Sequence, residues 1–408
     1  MLTASQAASQ PIPQYMSLNY GNVFKIQHVR NPFALNPVSF SSLASYLECP
    51  GCALEQRRKR RPKEPARFTN ARQSTLFGGK GEPDPRLVGT LLHTCINLLH
   101  ETNGPLSKQQ QEALLTDQHM LTGFICYDLL TALREAGKMK LAMFLDELLT
   151  RREVLYSALI APMQRYRREL ASTDAIVLAA AERFQFKLVS TRNTFIDHGD
   201  RGGAVGLVGE FDQIRLRKKG DVRRPTGVPA IMEFKKGFGR TKKRASGPLT
   251  LFPEEMEDEK PADELPGMSH AMQLIIYWMA FQTRWDILDQ IAVARGGIEE
   301  IRMPLQQELD LIIYNLNDGC QYQLLPTNLR EALQAMTNCI FYLDWAMKSG
   351  YAQPAAEHEC KKTQLIAEVP NPLVEVGYTA LSAAECYALA RDAFECFKQT
   401  VRWEKLPL

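Results

Sequence analysis

The spacing of apolar residues divides the chain into a helical first part and a strand-rich second part. From Leu87 to Leu170, apolar residues recur at intervals of three and four, which is typical of helices with one buried face. A shorter helix is predicted over Ser41–Leu47, which begins with good N-cap residues and ends at Cys49-Pro50-Gly51-Cys52. Further helices are predicted over His270–Trp285, residues 327–348 and about Leu381 to Arg402, the first of them strongly amphipathic.

Beyond Ala175 the apolar residues alternate or form short runs bounded by Gly and Asp, which predicts strands. The predicted strands are Ala175–Leu178, Arg183–Val189, Ala204–Arg217, Val228–Phe234 and Leu309–Leu316. Strands and helices in this order indicate an α/β fold. We divide the chain into a flexible N-terminal arm (1–36), a helical region (37–174), a core (175–350) and a C-terminal segment with a helix (351–408).

Two neighbouring predicted strands carry two carboxylates and a lysine. Asp212 lies in the first strand, and Glu233 and Lys235 lie in the second. Side chains two residues apart on a strand share a face, and Asp212 can join them if the strands pair. Carboxylates hold hard divalent cations, and a lysine beside them can orient or deprotonate a water, so this set suits metal-assisted phosphodiester hydrolysis.

Three polar residues on predicted helices flank this pair in the sequence. His93 stands on a helix otherwise lined by Leu and Ile, and Gln273 and Tyr277 lie four apart on one helical face. Each has an ordinary explanation, because a single helical histidine is more often structural and a polar pair is often an exposed edge. Their order along the chain is more specific than any one of them.

In that order these residues resemble the RecB-like branch of the PD-(D/E)XK nuclease superfamily, most of all the CRISPR-associated adaptation exonucleases and the nuclease domains of the AddB and RecB type. The resemblance runs from Ser41 to about Cys360. Five motifs carry it: Ser-x-Leu-x-x-Tyr-x-x-Cys-Pro at Ser41–Pro50, Gly-x-x-x-His at Gly89–His93, Gly-x-x-Asp at Gly209–Asp212, Glu-x-Lys at Glu233–Lys235, and Gln-x-x-x-Tyr at Gln273–Tyr277.

The resemblance implies a restriction-endonuclease-like core, in which helices flank a mixed central sheet, with an N-terminal helical insert. It implies that His93, Asp212 and Glu233 bind Mg²⁺ or Mn²⁺, with the carbonyl of Phe234 as a further ligand. Magnesium prefers oxygen ligands, and manganese accepts an imidazole more readily.

The resemblance also implies catalytic roles for three other residues. Lys235 would position and activate water, and Gln273 and Tyr277 would orient the DNA strand and the groups of the site. The implied activity is metal-dependent hydrolysis of DNA, by an exonuclease rather than an endonuclease, on single strands or ends. Its setting would be DNA repair, recombination or CRISPR-type antiviral defence, with helicase or CRISPR adaptation proteins as partners. A non-catalytic DNA-binding or scaffolding subunit, or an interaction module of such a complex, stays open as an alternative.

The cysteines depart from the pattern of this branch, whose members often hold an iron–sulfur cluster with one cysteine of the Cys-Pro motif and three near the C-terminus. Cys49 stands at the first of these positions, but no Cys-x-x-Cys follows Pro354, which argues against a compact four-thiolate site. Cys49, Cys52, His358 and Cys360 form an alternative set for zinc or an unusual cluster. The third alternative is that no metal binds there, since buried free cysteines are common.

The net charge of +3 is ordinary, but the charges are unevenly distributed. Arg57–Lys63 and Lys235–Arg244 each carry six basic residues and no acid, whereas Glu254–Glu264 carries seven acids and one lysine. Basic clusters suit a polyanion such as DNA, although any one of them is also explained as solvated surface.

The sequence predicts neither a membrane protein nor a secreted one. The longest apolar run, about Leu274–Phe281, is far shorter than the roughly 18 residues that a transmembrane helix requires. The N-terminus lacks the basic and apolar segments of a secretory signal. Nine cysteines at irregular spacing favour a reducing compartment, so a cytoplasmic protein without membrane contacts is expected.

Overall fold

The protein is described by a computed structural model. The described residues are 18–20, 24–28, 37–53, 83–101, 104–173, 175–190, 204–217, 228–237, 265–284, 287, 309–348, 351 and 382–407.

The described residues form an α/β fold around one mixed, open sheet. Its nine strands are β1 (Leu18–Tyr20), β2 (Phe24–His28), β3 (Val38–Ser39), β4 (Ala175–Ser190), β5 (Ala204–Arg217), β6 (Val228–Lys235), β7 (Asp310–Asn315), β8 (Gln321–Pro326) and β9 (Val401–Leu406). Their order across the sheet is β1-β2-β4-β5-β6-β7-β8-β9, with the short β3 pairing to β5. Neighbouring strands are antiparallel, except that β6 runs parallel to β7 and β3 runs parallel to β5.

The helices lie on both faces of the sheet. They are α1 (Phe40–Glu48), α2 (Pro85–Leu98), α3 (Lys108–Thr116), α4 (Gln118–Gly123), α5 (Leu129–Glu135), α6 (Met139–Leu149), α7 (Arg152–Leu155), α8 (Ala161–Ser172), α9 (Met268–Phe281), α10 (Leu329–Lys348) and α11 (Ala383–Thr400). Two π-helical turns, Phe124–Asp128 and Tyr156–Ile160, join α4 to α5 and α7 to α8. None of the helices in the described part of the chain has the length and apolar character required to cross a bilayer.

Each face of the sheet has its own hydrophobic core. Helices α1, α9, α10 and α11 pack on one face, and we call their side the α9 face. Helices α2 to α8 pack on the other, which we call the α2 face. Strand β6 contributes to both in alternation, since Ile231 lies in the first core whereas Met232 and Phe234 lie in the second.

Helix α9 is more deeply buried than its sequence suggests. Every residue from Ala271 to Phe281 is buried, so the prediction of a strongly amphipathic helix is wrong. The physical reason is that α9 lies between the sheet and helices α1 and α10, and contacts both layers. Gln273 gives the helix sequence an amphipathic appearance, but its polar side chain lies in the interior.

Five strands were not predicted from the sequence, one of them the two-residue β3. β1 and β2 lie within residues 1–36, where the sequence predicts a flexible arm, and β2 pairs with Phe186–Ser190 of β4. β8 had no predicted counterpart, and β9 begins at Val401, inside the helix predicted to reach Arg402. The segments Ala175–Leu178 and Arg183–Val189 belong to one long strand, β4.

Candidate active site

Strand β6 carries two charged side chains on the α9 face. Glu233 and Lys235 lie two residues apart, and Nζ of Lys235 is 2.5 Å from Oε1 of Glu233. The neighbouring Phe234 points to the opposite core. Glu233 is only 3% exposed, whereas a quarter of the Lys235 side chain reaches solvent. The structure thus places both charges on one face, as their spacing predicts.

Asp212 joins them from β5, at a point where that strand changes face. Phe211 and Ile214 are three residues apart but both lie in the core of the α9 face, so the normal alternation is broken at Asp212 and Gln213. The ladder between β5 and β6 begins only at Gln213. Asp212 therefore lies where β5 and β6 separate.

The backbone around Asp212 compensates for this separation. Oδ2 of Asp212 accepts the Phe234 N–H at 2.8 Å, so the carboxylate binds the backbone of β6 in place of a ladder partner. On the other side, β4 pairs with β5 at Ala180 and Glu182, which brings Ala181 opposite Asp212. Ala181 has a φ of 50°, a left-handed conformation that is uncommon for a residue other than glycine.

His93 reaches the same point from helix α2, on the other face of the sheet. Its Nδ1 atom lies 3.1 Å from Oδ1 of Asp212, and its ring meets the edge of the Phe234 ring at 6.2 Å. The helix buries Val88, Leu92 and Cys95 around this position. His93 is thus held against the carboxylate with which the sequence motif associates it.

Gln273 and Tyr277 complete the set from helix α9. The amide of Gln273 donates to Oε1 of Glu233 and to the Tyr277 hydroxyl, each at 2.8 Å, and its oxygen accepts from Lys235 at 3.3 Å. The ring of Tyr277 packs edge-on against Phe184 and Phe211, at 5.5 and 5.3 Å. One turn of α9 therefore links the lysine, the buried glutamate and the aromatic core.

Burial and mutual charge shift the ionisation of these groups. Burial raises the pKa of Glu233 to about 7, and the charge of Asp212 adds to that effect. Burial opposes ionisation of Asp212 as well, but the charge of His93 and its hydrogen bond outweigh it and hold the pKa of Asp212 below its ordinary value. Burial also lowers the pKa of His93, yet Asp212 and Glu233 prevail and raise it to about 9. The protein alone therefore holds a charged His93–Asp212 pair.

Lys235 is the cation nearest to Glu233. Burial acts to lower the pKa of its ammonium group, but the charge of Glu233 and the hydrogen bond between them raise it above the ordinary value. The pKa of His270, on the first turn of α9, is lowered to about 4 by burial and by the charge of Lys235. His270 is therefore neutral beside a charged lysine at neutral pH.

The donor set fits Mg²⁺ or Mn²⁺ in chemical type. Among the described residues Oε2 of Glu233 has no hydrogen-bond partner, although it is buried, and a buried carboxylate oxygen normally has one. A cation bound at Nδ1 of His93 would replace the proton that faces Asp212, since only neutral imidazole is a ligand. Across the described ranges, no three His, Cys, Asp or Glu side chains converge closely enough to form a preassembled metal cluster.

A buried ion pair behind the site was not found by sequence analysis. Arg215 is fully buried and donates to Glu169 and to Gln213, both at 2.7 Å. Its guanidinium lies over the rings of Tyr166 and Phe234, at 5.4 and 5.6 Å. Gln213 and Arg215 alternate with Ile214 and Leu216 in the pattern of a solvated strand face, so no local signal marks them as buried.

Several other predicted groups do not join the site or lie outside the described residues. Glu182 of β4 pairs with Arg284 at 3.1 Å. Cys49 is buried at the end of α1 and Cys52 is half-buried. His358 and Cys360 lie outside the described residues, so the four-ligand set for zinc or a cluster stays a prediction. The basic run 57–63, the acidic run 254–264 and most of 235–244 also lie outside them.

No protein-family model matches this chain, and no curated protein matches it either.

Proposed function

We propose that this protein is a metal-dependent nuclease of the PD-(D/E)XK type, which hydrolyses phosphodiester bonds of DNA. The observation that carries the proposal is the convergence of Asp212, Glu233 and Lys235 at the point where two strands separate, with His93 and Gln273 against them. Five polar groups from four elements are expensive to gather in an interior unless they bind or react.

His93, Asp212 and Glu233, together with the carbonyl of Phe234, are the residues that would hold Mg²⁺ or Mn²⁺. When bound, the cation offsets charge on the scissile phosphate and acidifies water. The partnerless Oε2 of Glu233 supports this assignment, because a buried carboxylate oxygen is stabilised by a ligand that replaces its lost hydration.

Lys235 is placed to orient the attacking water or a phosphate oxygen. Glu233 keeps the pKa of Lys235 raised, so the lysine is an ammonium at neutral pH. An ammonium donates hydrogen bonds but accepts none. This supports an orienting and charge-stabilising role rather than removal of the proton from water. In the reaction, the water oxygen forms a bond to phosphorus while a P–O ester bond breaks, and the proton that the water gives up ends on the leaving oxygen.

The finer assignment, an exonuclease acting on single strands or ends in repair or CRISPR-type defence alongside helicase or adaptation proteins, rests on the resemblance alone. A second candidate is a DNA-binding or scaffolding subunit without catalysis. One observation favours it: within the described ranges the acidic groups and His93 are not gathered into a metal cluster.

Hydrolysis of end-labelled DNA separates the two candidates. With Mn²⁺ or Mg²⁺, the wild-type protein is expected to cut single-stranded DNA, and chelation with EDTA to stop it. Lys235→Ala and Asp212→Asn should each lower the rate by about 10²–10³-fold, the usual effect of losing one group that stabilises developing charge.

Lys236→Ala is the matched control, because within the described part of the chain it is Lys235, and not the adjacent Lys236, that forms hydrogen bonds to Glu233 and Gln273. It should retain wild-type activity. If the wild-type protein with manganese cuts neither single-stranded nor double-stranded DNA, yet binds DNA with an affinity that metal does not change, the non-catalytic candidate stands instead.

A further inference from the structure

A cavity of about 690 Å³ opens directly beside Lys235 and Gln273. Helices α1, α9 and α11 form its walls, so it lies on the α9 face next to the proposed reaction centre. Its volume is within the range of about 300–1,000 Å³ that is typical of ligand sites. We call it the α11 groove.

Helix α11 presents one polar and aromatic face to this groove. Arg391, Phe394, Glu395 and Lys398 all line it, and their spacing of three, four and seven residues places them on one side of the helix. The adjoining side of α11, which includes Phe397, is buried in the core, and the ring of Phe394 stacks on that of Phe397 at 6.0 Å. Packing against the core therefore fixes the position of the helix at the edge of the groove.

The chemistry of the groove suits an unpaired nucleic-acid strand. Three basic side chains line it, Lys235 from β6 and Arg391 and Lys398 from α11, against two acidic ones, Glu48 and Glu395. Phe394 and, across the groove, Phe40 supply rings on which exposed bases can stack. Lys398 lies over the Phe394 ring at 5.2 Å and pairs with Glu395, so a base that stacks there displaces a partly exposed ammonium.

We propose that the α11 groove binds the unpaired strand of the DNA next to the scissile phosphate, with Arg391 on the phosphate backbone and Phe394 under a base. This inference rests on the proposed nuclease function. It goes beyond the resemblance, because α11 lies past Cys360, where the resemblance ends. Bases of a duplex are stacked on one another and cannot reach a ring within the groove, so the site selects single strands.

Equilibrium binding without catalysis tests the contact residues first. The full chain is titrated in EDTA against fluorescein-labelled oligothymidylate, by fluorescence anisotropy at several salt concentrations. Phe394→Leu, which keeps apolar packing but removes the ring, should weaken binding about tenfold without changing the salt dependence. Arg391→Ala should weaken binding and reduce the slope of log affinity against log salt by about 0.7, the value for one phosphate contact with a single strand.

Two controls lie outside the groove. Tyr127→Leu removes an aromatic ring that is 81% exposed on the α2 face, and Arg330→Ala removes an exposed charge at the start of α10. Both should leave affinity and slope unchanged. The proposal is overturned if the groove variants behave like these controls, or if a blunt duplex binds as tightly as the single strand and Phe394→Leu weakens both equally.

Hydrolysis of two substrates separates this proposal from the one on which it rests. Phe394→Leu should lower kcat/KM for oligothymidylate about tenfold but leave hydrolysis of thymidine 5′-(p-nitrophenyl phosphate) unchanged, since that small ester does not fill the groove. If the wild-type protein with Mn²⁺ hydrolyses neither substrate, the proposed nuclease function is wrong. The binding measurements in EDTA then decide by themselves whether the α11 groove binds a single strand. If it hydrolyses both and Phe394→Leu changes neither rate, the groove assignment fails alone.

Discussion

Gln273 is the single residue that links most of the site. Its one amide contacts Glu233, Lys235 and Tyr277, so it fixes the position of the buried carboxylate and of the lysine together. Groups that orient the ligands of a metal usually matter nearly as much as the ligands themselves. In the proposed nuclease, Gln273 therefore acts as a positioning residue that maintains the geometry of Glu233 and Lys235.

Replacing Gln273 by leucine should weaken the site without removing a charge. Gln273→Leu is expected to lower Mn²⁺ affinity or the rate of DNA hydrolysis by about 10–100-fold, as is usual when a hydrogen-bond partner of a ligand is lost. Isothermal titration with Mn²⁺ and the hydrolysis assay measure the two effects. Unchanged Mn²⁺ affinity together with an unchanged rate would contradict the assigned role.

Gln282 provides a matched control on the same helix region. It is 1% exposed, and both polar atoms of its amide are buried without a hydrogen-bond partner among the described residues. Gln282→Leu should leave hydrolysis unchanged and raise the free energy of unfolding by about 1 kcal/mol, because an unsatisfied buried amide is removed.

The strand β5 shows how an element is adapted to the site. At Asp212 the alternation of its side chains between the two faces of the sheet is shifted by one residue. Ala181, whose backbone has a left-handed conformation, lies opposite on β4. A residue held in a sparsely populated conformation costs about 1–3 kcal/mol, and such residues concentrate at functional sites. Local strain in β4 thus accompanies the separation of strands that exposes the Asp212 carboxylate to His93.

A β-branched side chain at position 181 should disturb this arrangement. Ala181→Val is expected to lower the free energy of unfolding by about 1–3 kcal/mol, since valine tolerates a positive φ poorly, and to reduce hydrolysis because Asp212 is displaced. Ala181→Gly, which adopts positive φ without steric cost, should retain the activity. Urea denaturation and the hydrolysis assay provide the measurements.

The adjacent Ala180 is the control for this element. It pairs regularly with Gln213, so Ala180→Val keeps ordinary strand geometry and should cost little. If Ala180→Val and Ala181→Val destabilise the protein equally, the strain is not specific to the reversal at Asp212.

The sequence predicts the helices and strands that bury a single face, because the spacing of their apolar residues shows that face. Helices α2 to α8 and the β5–β6 pair follow from local periodicity and turn residues. It fails at β9, because Val401 and Arg402 continue the pattern of the preceding helix and Val401–Leu406 becomes a strand only by pairing with β8. It also fails at α9, since burial on all sides depends on layers supplied by distant parts of the chain.

The same distinction applies to the site. Asp212, Glu233 and Lys235 could be predicted because their spacing within strands determines their faces. The reversal at Asp212 could not, because Ile176–Ala181 is a featureless run of small and apolar residues. The ion pair of Arg215 and Glu169 could not either, since 46 residues separate its partners.

At the scale of the whole molecule, a buried polar network joins the helices of the α2 face to the sheet. Tyr166 on α8 contacts His100 at 2.6 Å and Gln213 at 2.7 Å, and Glu169 also accepts from Gln321 of β8 at 2.8 Å. Burial, with a further contribution from the charge of Arg215, lowers the pKa of His100 to about 3. His100 is thus a neutral member of a network that holds the layers of the fold together.

This network predicts how stability depends on pH. In the unfolded chain His100 binds a proton below its ordinary pKa of 6.5, whereas in the folded protein it stays neutral down to about pH 3. The unfolded state therefore binds more protons in this window, and stability falls as pH falls from about 6.5 towards 3. The contribution of His100 should be about 2 kcal/mol between pH 7 and pH 5, at a limiting slope of about 1.4 kcal/mol per pH unit.

The variant His100→Gln tests this, because it keeps a polar partner for Tyr166 but does not titrate. Urea denaturation at each pH gives the free energy of unfolding of the variant and of the wild type. The difference between the two isolates the contribution of His100 from those of His270 and the carboxylates. If the difference between the variant and the wild type stays constant from pH 7 to pH 5, His100 takes up its proton in the folded protein as it does in the unfolded chain. The network would then be open to water.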